Sequence, residues 1–520
     1  MVVLKKYFPI ILVFIITLSI RIFWVCQKDY VFVDEPVNFS VISPNTIHNG
    51  QLFKTFNYQK FNFKINYEYD TKTIKYLLFN HGNDFKTLFK DLKSLYLYDY
   101  DSGHSNLYYM FLRVWTFNLK NVEINTINFY GFTFNLLLFS ISFFIMFKLL
   151  QLIVDDKRYI PLYLLISFIS TSSVSNTLFV REYQLQSLGM LLVTYIFIKI
   201  YLSIDNNKNL NILNTKNILL YSFAFTFYFL TGYYSVVYAF ILLLIVSFKI
   251  YKNIKIEKTD YIKIFLIVFL SVIFVFCIDR NYLNITQEIE KISNNNFLSL
   301  KFFERELFTA FDMMQKTIFY PILMLYILIL FLFSQNHEQN NNMNSLVLII
   351  FNCSLTWSFI VLFISPVYGI RYFIPATSLL SLGFIYILQK FNFKYTIIFC
   401  LMSLILIFIP NVRFNNFDTI RPFLFYVHDH NNFVFNNRAK IPVVFRDYRL
   451  PFETIILNTD DEQKVLFVDD IPNKNFRYKE YILFYKKDNL EKYQTKIKQN
   501  KIVSTGCTKF DDCYVIINNN

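Results

Sequence analysis

Long apolar runs constrain this chain more than any other feature of its sequence. Stretches such as FPIILVFIITLSI and YSVVYAFILLLIVSF contain no Asp, Glu, Lys or Arg. A bilayer core of about 30 Å needs about 20 such residues for each helix that crosses it. Only 17% of the 520 residues are charged, against roughly 25% in a soluble protein. The sequence therefore predicts an all-α polytopic membrane protein.

We predict about eleven membrane segments from these runs. The predicted segments are 7–26, 129–150, 159–179, 184–202, 217–231, 234–250, 262–278, 317–334, 345–364, 372–389 and 394–410. The least distinct pair covers 217–250. Its length of 34 residues and the TGYY at its centre favour two short helices over one long tilted helix.

Lysines in the short loops predict the orientation of the chain. Basic residues favour the cytoplasmic side of a membrane. They cluster before the first segment, after the sixth and before the last, as Lys5, Lys6, Lys249, Lys252, Lys255, Lys258, Lys263, Lys390 and Lys394. The N-terminus is therefore expected in the cytoplasm, and an odd number of spans places the C-terminal region outside. Lysines facing anionic headgroups also explain the net charge of +14 without a nucleic-acid partner.

Three stretches outside the membrane are long enough to fold or bind. They are a first outer loop at 27–128, a second at 279–316 and a tail at 411–520. The first loop is rich in Phe and Tyr, as expected for short helices on the membrane surface. In the tail, KVLFVDDIP, YILFYKK and CYVIIN are typical of strands and NLEKYQTKIKQN of a helix. We expect a transmembrane domain at 1–410 and a small extracytoplasmic α/β domain at 411–520.

Two cysteines in the tail support the same orientation. Cys507 and Cys513 stand in STGCTKFDDCYVII, a spacing that suits a disulfide across a tight hairpin. A disulfide places the tail in an oxidising compartment. The orientation expected from the lysines therefore agrees with the chemistry expected of the cysteines.

Charged residues at the outer ends of the apolar segments are the candidate functional residues. Asp34 and Glu35 follow the first segment, Arg181 and Glu182 begin the fourth, and Arg371 ends another. Ionisable groups at such depth are costly and tend to be functional. Arginine offers a fork of donors that suits phosphate oxygens, and a carboxylate offers a base or a metal ligand. Alternatively, an arginine near a helix end reaches the headgroups, or Arg181 pairs with Glu182 or Asp34.

Two neighbours of the acidic pair complete this expectation. Arg21 lies in the outer turn of the first segment, close in sequence to Asp34. Pro36 is expected to turn the chain just past Asp34, because the residue before a proline avoids helical geometry.

Four motifs in order along the chain resemble those of one family. They are FVDEP, GHSNLYYMFLRVW, REYQLQSL and RYFIPA. In this order they resemble the GT-C-type, lipid-carrier-dependent glycosyltransferases related to protein O-mannosyltransferases and aminoarabinose transferases. The second motif is similar to the family's His-Pro-Pro-Leu-Tyr-Tyr, with His104 and Tyr108 retained and Ser105 and Asn106 in place of the prolines. The third motif lacks the family's second arginine. The resemblance covers about the first 390 residues.

The resemblance implies an activity and a role for each matching residue. Asp34 would be the catalytic base, and Glu35 would orient the acceptor or hold a cation. Arg181 and Arg371 would bind the phosphate of a polyprenyl-phosphate sugar, and transfer would invert the anomeric carbon. The remaining residues implied to bind substrate are His104, Tyr108, Glu182 and Tyr372.

The partners implied are the lipid-linked sugar and an acceptor that is a lipid, a glycan or a protein. The resemblance specifies no cofactor, and a divalent cation, if the enzyme uses one, would be held by Asp34 or Glu35. The expected location is the bacterial inner membrane, which the chain crosses many times.

Three other functions remain open at this point. A transporter or flippase for a lipid-linked sugar would also use charges within the membrane, although such proteins often show paired halves and broken helices, and this chain shows no repeat. A polysaccharide polymerase or ligase would use outer arginines but would leave the acidic pair unexplained. A structural or assembly subunit would bind a partner through its tail.

Overall fold

The computed structural model of this chain is mostly helical, with one small sheet. It describes residues 2–26, 28, 34–43, 66–97, 105–119, 122–205, 214–252, 258–279, 282, 341–364, 374–388, 393–408, 441–446, 452–468, 472, 476–486, 501–507 and 512–518. These ranges contain long apolar helices from the first 410 residues and the strands of the sheet.

The described helices, in chain order, are α1 Val2–Cys26, α2 Asp34–Val41, α3 Thr71–Phe79, α4 Phe85–Leu97, α5 Asn106–Trp115, α6 Ile124–Ile153, α7 Ile160–Ile169, α8 Thr171–Leu178, α9 Tyr183–Asp205, α10 Thr215–Phe229, α11 Ser235–Lys252, α12 Lys258–Ile278, α13 Asn341–Ile364, α14 Thr377–Leu380, α15 Leu382–Leu388, α16 Phe393–Phe408 and α17 Phe452–Asn458. Short 3-10 turns stand at Lys157–Tyr159 and Ile374–Ala376.

The chain divides into two compact units. The first contains Met1–Gln27, Ser102–Tyr108 and Gly131–Tyr426, and the second contains Lys28–Asp101, Tyr109–Tyr130 and Val427–Asn520. These boundaries differ from the predicted division at residue 410, because much of the first outer loop groups with the tail. The predicted domain organisation itself stays a prediction.

Among the described helices, three are long and apolar enough to cross a membrane. They cover Tyr7–Cys26, Ile124–Ile153 and Tyr183–Ile204, and each contains one of the predicted segments. Shorter apolar helices cover Ser235–Tyr251, Ile262–Ile278, Leu346–Val361 and Ile374–Tyr386. The helical, membrane-compatible character of the chain agrees with the prediction. The number of eleven spans stays a prediction, and the segment 317–334 lies outside the described residues.

Within the first unit, the predicted segment 159–179 is two helices and not one. Helix α7 ends at Ile169, Ser170 adopts an extended backbone with φ −61° and ψ 150°, and α8 begins at Thr171. The Ser170 hydroxyl accepts a hydrogen bond from the Ser173 backbone N–H and so caps α8. Serine favours helix caps over helix interiors because its hydroxyl competes for nearby backbone groups. The serines of this stretch explain the break.

The segment 217–250 also forms two helices, as its central TGYY predicts. Helix α10 ends at Phe229, and α11 begins at Ser235 after a five-residue turn at 230–234. Both helices contact α9, and α10 also packs against α12.

The second unit is built on a mixed six-stranded sheet. The strands are β1 Glu68–Asp70, β2 Val443–Phe445, β3 Lys464–Phe467, β4 Glu480–Lys486, β5 Lys501–Cys507 and β6 Asp512–Asn518. Their order is β1-β3-β2-β4-β6-β5, with β2 parallel to β3 and β4 and the other pairs antiparallel. The strands predicted from KVLFVDDIP, YILFYKK and CYVIIN are confirmed as β3, β4 and β6. The helix predicted at 489–500 lies outside the described residues.

The central parallel strands form the core of this unit. All three residues of β2 are buried, as expected for a parallel strand covered on both faces. The Phe445 ring stacks at 20° on the rings of Phe467 and Phe484, at centroid distances of 5.7 and 5.3 Å. Phe452 of α17 closes the cluster with its ring edge on Phe445. Strand β1, which lies in the segment 27–128, extends this sheet by pairing with β3.

Candidate functional site

The acidic pair lies at the start of α2, in the second unit. Glu35 is fully buried, and both of its carboxylate oxygens accept hydrogen bonds from Lys28 Nζ, at 2.7 and 2.9 Å. The expectation that Pro36 keeps Glu35 out of a helix is wrong, because α2 begins at Asp34. Proline is tolerated in the first turn of a helix, where its missing N–H has no carbonyl to reach. The Asp34 side chain lies outside the described residues.

Lys28 is one of the residues that the sequence prediction missed. Its side chain is buried together with that of Glu35, and burial lowers the pKa of the Lys28 amine while the Glu35 carboxylate opposes that shift. The Lys28 carbonyl oxygen also accepts a hydrogen bond from Asn128 Nδ2 at 3.4 Å. A buried ion pair is costly to break from either side, so this pair fixes the start of α2.

A second buried cluster holds the C-terminal end of α2. His81 Nε2 lies 3.1 Å from the Phe39 carbonyl oxygen, and burial lowers the pKa of His81 to about 3, with the nearby Arg113 charge adding to the effect. The imidazole is therefore neutral, and its Nε2–H donates to Phe39. Arg113 donates through Nε to Asp91 at 2.9 Å and through Nη2 to the Gly82 carbonyl at 2.7 Å.

Burial also raises the pKa of Asp91 to about 6, against the opposing effect of Arg113. The cluster of His81, Asp91 and Arg113 was not predicted from the sequence. Only Arg113 gives a signal in the sequence, as an isolated charge in the apolar stretch MFLRVW; His81 and Asp91 stand among other polar residues.

Arg181 and Glu182 lie in the first unit, in the break between α8 and α9. Both are buried, with 6% and 2% of their surface exposed, and Arg181 Nε is 3.8 Å from Glu182 Oε2. The Asn135 amide nitrogen donates to the Phe179 carbonyl at 2.7 Å and so ties α6 to this break. Helix α6 approaches this break so closely that a Cβ on Gly131 would overlap the Val180 side chain. The predicted pairing of Arg181 with its neighbour is thus present, in a rigidly held break.

Arg21 is held by neutral groups of the first unit. The guanidinium donates to the Thr17 and Phe168 carbonyls at 2.9 and 3.1 Å and to the Thr177 hydroxyl at 2.9 Å. It also donates to the Ser173 hydroxyl and carbonyl at 2.9 and 3.2 Å, and its Cζ lies 3.7 Å above the Phe139 ring. The break at Ser170 frees the Phe168 carbonyl, which a continuous helix would use, and in a membrane such a group needs a partner. Arg21 is that partner.

The second motif of the resemblance forms α5 and the residue before it. Ser105 donates to the Leu230 carbonyl, and Asn106 begins the helix. Tyr108 is buried, with its ring centroid 5.7 Å from that of Phe134. A tyrosine packed in this way contributes to the core of its unit.

Several predicted site residues lie outside the described residues. They are His104, Arg371 and Tyr372. Because Asp34 and Glu35 belong to one unit and Arg181 and Glu182 to the other, the predicted convergence of these charges stays a prediction. Among the described residues, no group of three or more His, Cys, Asp or Glu could hold a metal ion.

The two tail cysteines face each other in the sheet. Cys507 of β5 and Cys513 of β6 are direct partners in the antiparallel register. Their side chains lie outside the described residues, so the disulfide stays a prediction.

No protein family, curated protein or solved structure matches this chain.

Proposed function

We propose that this protein is an inverting glycosyltransferase of the bacterial inner membrane. It moves a sugar from a polyprenyl-phosphate donor to an acceptor at the outer face. The observation that carries the proposal is the burial of Glu35 against Lys28, in a helix whose first residue is Asp34. Both carboxylate oxygens of Glu35 already accept hydrogen bonds from the buried Lys28 amine, and such a buried pair is costly to break. Glu35 is therefore a poor base, and Asp34 takes that role.

The reaction is a single displacement. The Asp34 carboxylate accepts the proton of an acceptor hydroxyl or amine as that atom attacks the anomeric carbon of the sugar. The bond between the anomeric carbon and the phosphate oxygen breaks, and polyprenyl phosphate leaves with the electron pair. Arg181 and Arg371 bind the phosphate and stabilise the charge that grows on it. Attack from the face opposite the phosphate inverts the anomeric carbon.

The remaining residues have supporting roles in this proposal. Glu35 positions α2 through Lys28, and a divalent cation, if one is used, binds at Asp34. Glu182 orients Arg181 from the neighbouring position, at 3.8 Å. His104 and Tyr372 contact the substrates. Tyr108 is buried against Phe134 and supports the substrate-binding residues through this packing. The order of the four motifs in the sequence supports this assignment.

The test uses the full-length protein in proteoliposomes with a radiolabelled polyprenyl-phosphate sugar. Lipid, glycan and protein fractions of cell envelopes serve as acceptors. The proposal predicts label bound covalently in one fraction and an equal amount of free polyprenyl phosphate. Arg181→Gln should lower transfer, whereas Arg158→Gln, a change at an exposed arginine, should leave it unchanged. Movement of label across the bilayer without a covalent product would instead indicate a transporter or flippase, and release of a diphosphate would indicate a polymerase or ligase.

A further inference from the structure

A cavity of about 670 Å³ lies within the second unit, and its lining includes neither the acidic pair nor the His81 cluster. Its walls come from α3, from the start of α6 and from the turn after α17. Cavities of about 300–1,000 Å³ are typical of small-molecule sites. The floor is apolar, since Phe79, Val122 and Leu457 are buried.

The rim of this cavity carries charges of both signs. Lys72 and Lys75 contribute ammonium groups, and Glu123 and Asp461 contribute carboxylates. Lys75 is paired with Asp461 at 2.9 Å, so the rim has little net charge. Carboxylates at the rim repel a phosphate or another polyanion, and the lysines repel a cation. A neutral ligand fits this charge pattern best.

The other rim groups favour a ligand rich in hydroxyls. Asn80 and Asn125 line the cavity, and an amide both donates and accepts hydrogen bonds, as a hydroxyl does. Tyr76 lines it too and is 60% exposed. A tyrosine ring offers a flat apolar face together with a polar tip, which suits the C–H face and the hydroxyls of a pyranose ring.

The walls of the cavity are held together before any ligand arrives. The Thr71 backbone N–H and hydroxyl both donate to the Gln463 carbonyl, at 3.2 and 3.0 Å, which ties α3 to the turn that carries Asp461. Strand β1, directly before α3, pairs with β3 in the sheet. A preorganised site loses less entropy when it binds a ligand.

We infer that this cavity binds a neutral pyranose unit of the acceptor, so that the acceptor is a glycan or a glycoconjugate. Its role as an acceptor site rests on the proposed transfer reaction, whereas the binding itself can be measured without turnover. Tyr76 stacks on the sugar ring, and Asn80, Asn125 and Glu123 bind its hydroxyls.

The test is saturation-transfer NMR on the full chain in lipid nanodiscs without any donor. The probes are the methyl glycosides and the disaccharides of glucose, galactose, mannose and N-acetylglucosamine, with inorganic phosphate as a competitor. At least one saccharide should bind, and phosphate should not displace it. Tyr76→Ala should weaken that binding by about tenfold, the effect of losing one good aromatic contact. Tyr67→Ala is the matched control, because Tyr67 is 54% exposed in the same unit and does not line the cavity.

Three results would overturn the inference. They are the absence of binding by every saccharide, displacement by phosphate, and an equal loss in the Tyr76→Ala and Tyr67→Ala variants. Asp34→Asn separates this inference from the proposed function, because it should slow transfer by at least about 100-fold and leave saccharide binding intact. Transfer by the wild type without saccharide binding in the cavity would refute the inference alone, and binding without transfer would refute the proposed function alone.

Discussion

The ion pair between Lys28 and Glu35 should determine how firmly α2 is held. Glu35→Gln keeps the shape of the side chain but leaves the Lys28 amine buried without its counter-charge. Breaking a buried pair from one side costs about 3–5 kcal/mol. Because burial already lowers the pKa of Lys28, loss of a proton from the amine limits this cost, so we expect the lower end, about 3 kcal/mol. Lys28→Met should cost a similar amount, and the double variant less than the sum.

Hydrogen exchange read by mass spectrometry measures this effect locally. The amides of Ile42 and Ser43 donate to Asn38 and Ser40, at 3.3 and 3.1 Å, and report on the last turn of α2. A loss of about 3 kcal/mol in local stability should speed their exchange by about 100-fold. The central strand β4, in the same unit, serves as the internal reference and should change less. Wild-type exchange of these amides in both single variants would refute the idea that the pair holds α2.

Other groups of the chain give three further predictions. Because the pKa of His81 is lowered to about 3 from 6.5, the unfolded chain binds more protons between these values, and stability should fall as the pH drops through that window. His81 should contribute a loss of about 3 kcal/mol between pH 7.5 and pH 4.5. Thermal unfolding followed by circular dichroism measures it as the difference between the wild type and His81→Gln, because Asp91, whose pKa is raised to about 6, changes stability in the opposite direction in both proteins. Arg21→Lys should destabilise the first unit by about 3 kcal/mol, nearly as much as Arg21→Met, because one ammonium cannot reach the carbonyls on both sides of the helix break. Chemical unfolding measures this loss. A variant as stable as the wild type would contradict the role of Arg21. Alkylation of the SDS-denatured protein should modify two more thiols after reduction than before, those of Cys507 and Cys513, and equal labelling would show that they are not bonded.

The elements that depend on local pattern could be predicted from the sequence. The long apolar runs identify α1, α6 and α9, because a helix that faces lipid needs only length and the absence of charge. Strands β3, β4 and β6 are recognisable as short runs of Val, Ile, Phe and Tyr. The acidic pair can be recognised because two adjacent carboxylates are unusual directly after an apolar helix.

The parts that depend on distant partners could not be predicted. Strand β1 is too short to recognise, and its partner β3 lies nearly 400 residues further along the chain, as the pairing of Asp70 with Lys464 shows. The pairing of Glu35 with Lys28 depends on the path of the intervening chain, which no local pattern specifies. The role of Arg21 depends in part on the break at Ser170, because that break frees the Phe168 carbonyl that Arg21 binds.

The central claim is that Asp34, and not Glu35, accepts the proton during transfer. Single-turnover transfer from a polyprenyl-phosphate sugar by the Asp34→Asn variant tests this most directly, in protein whose α2 amides exchange at the wild-type rate. Loss of a general base slows a reaction by about 10²–10⁴-fold, so we predict a decrease of at least about 100-fold, with the saccharide still bound. A rate within about twofold of the wild type would contradict the claim, since a general base contributes far more than that.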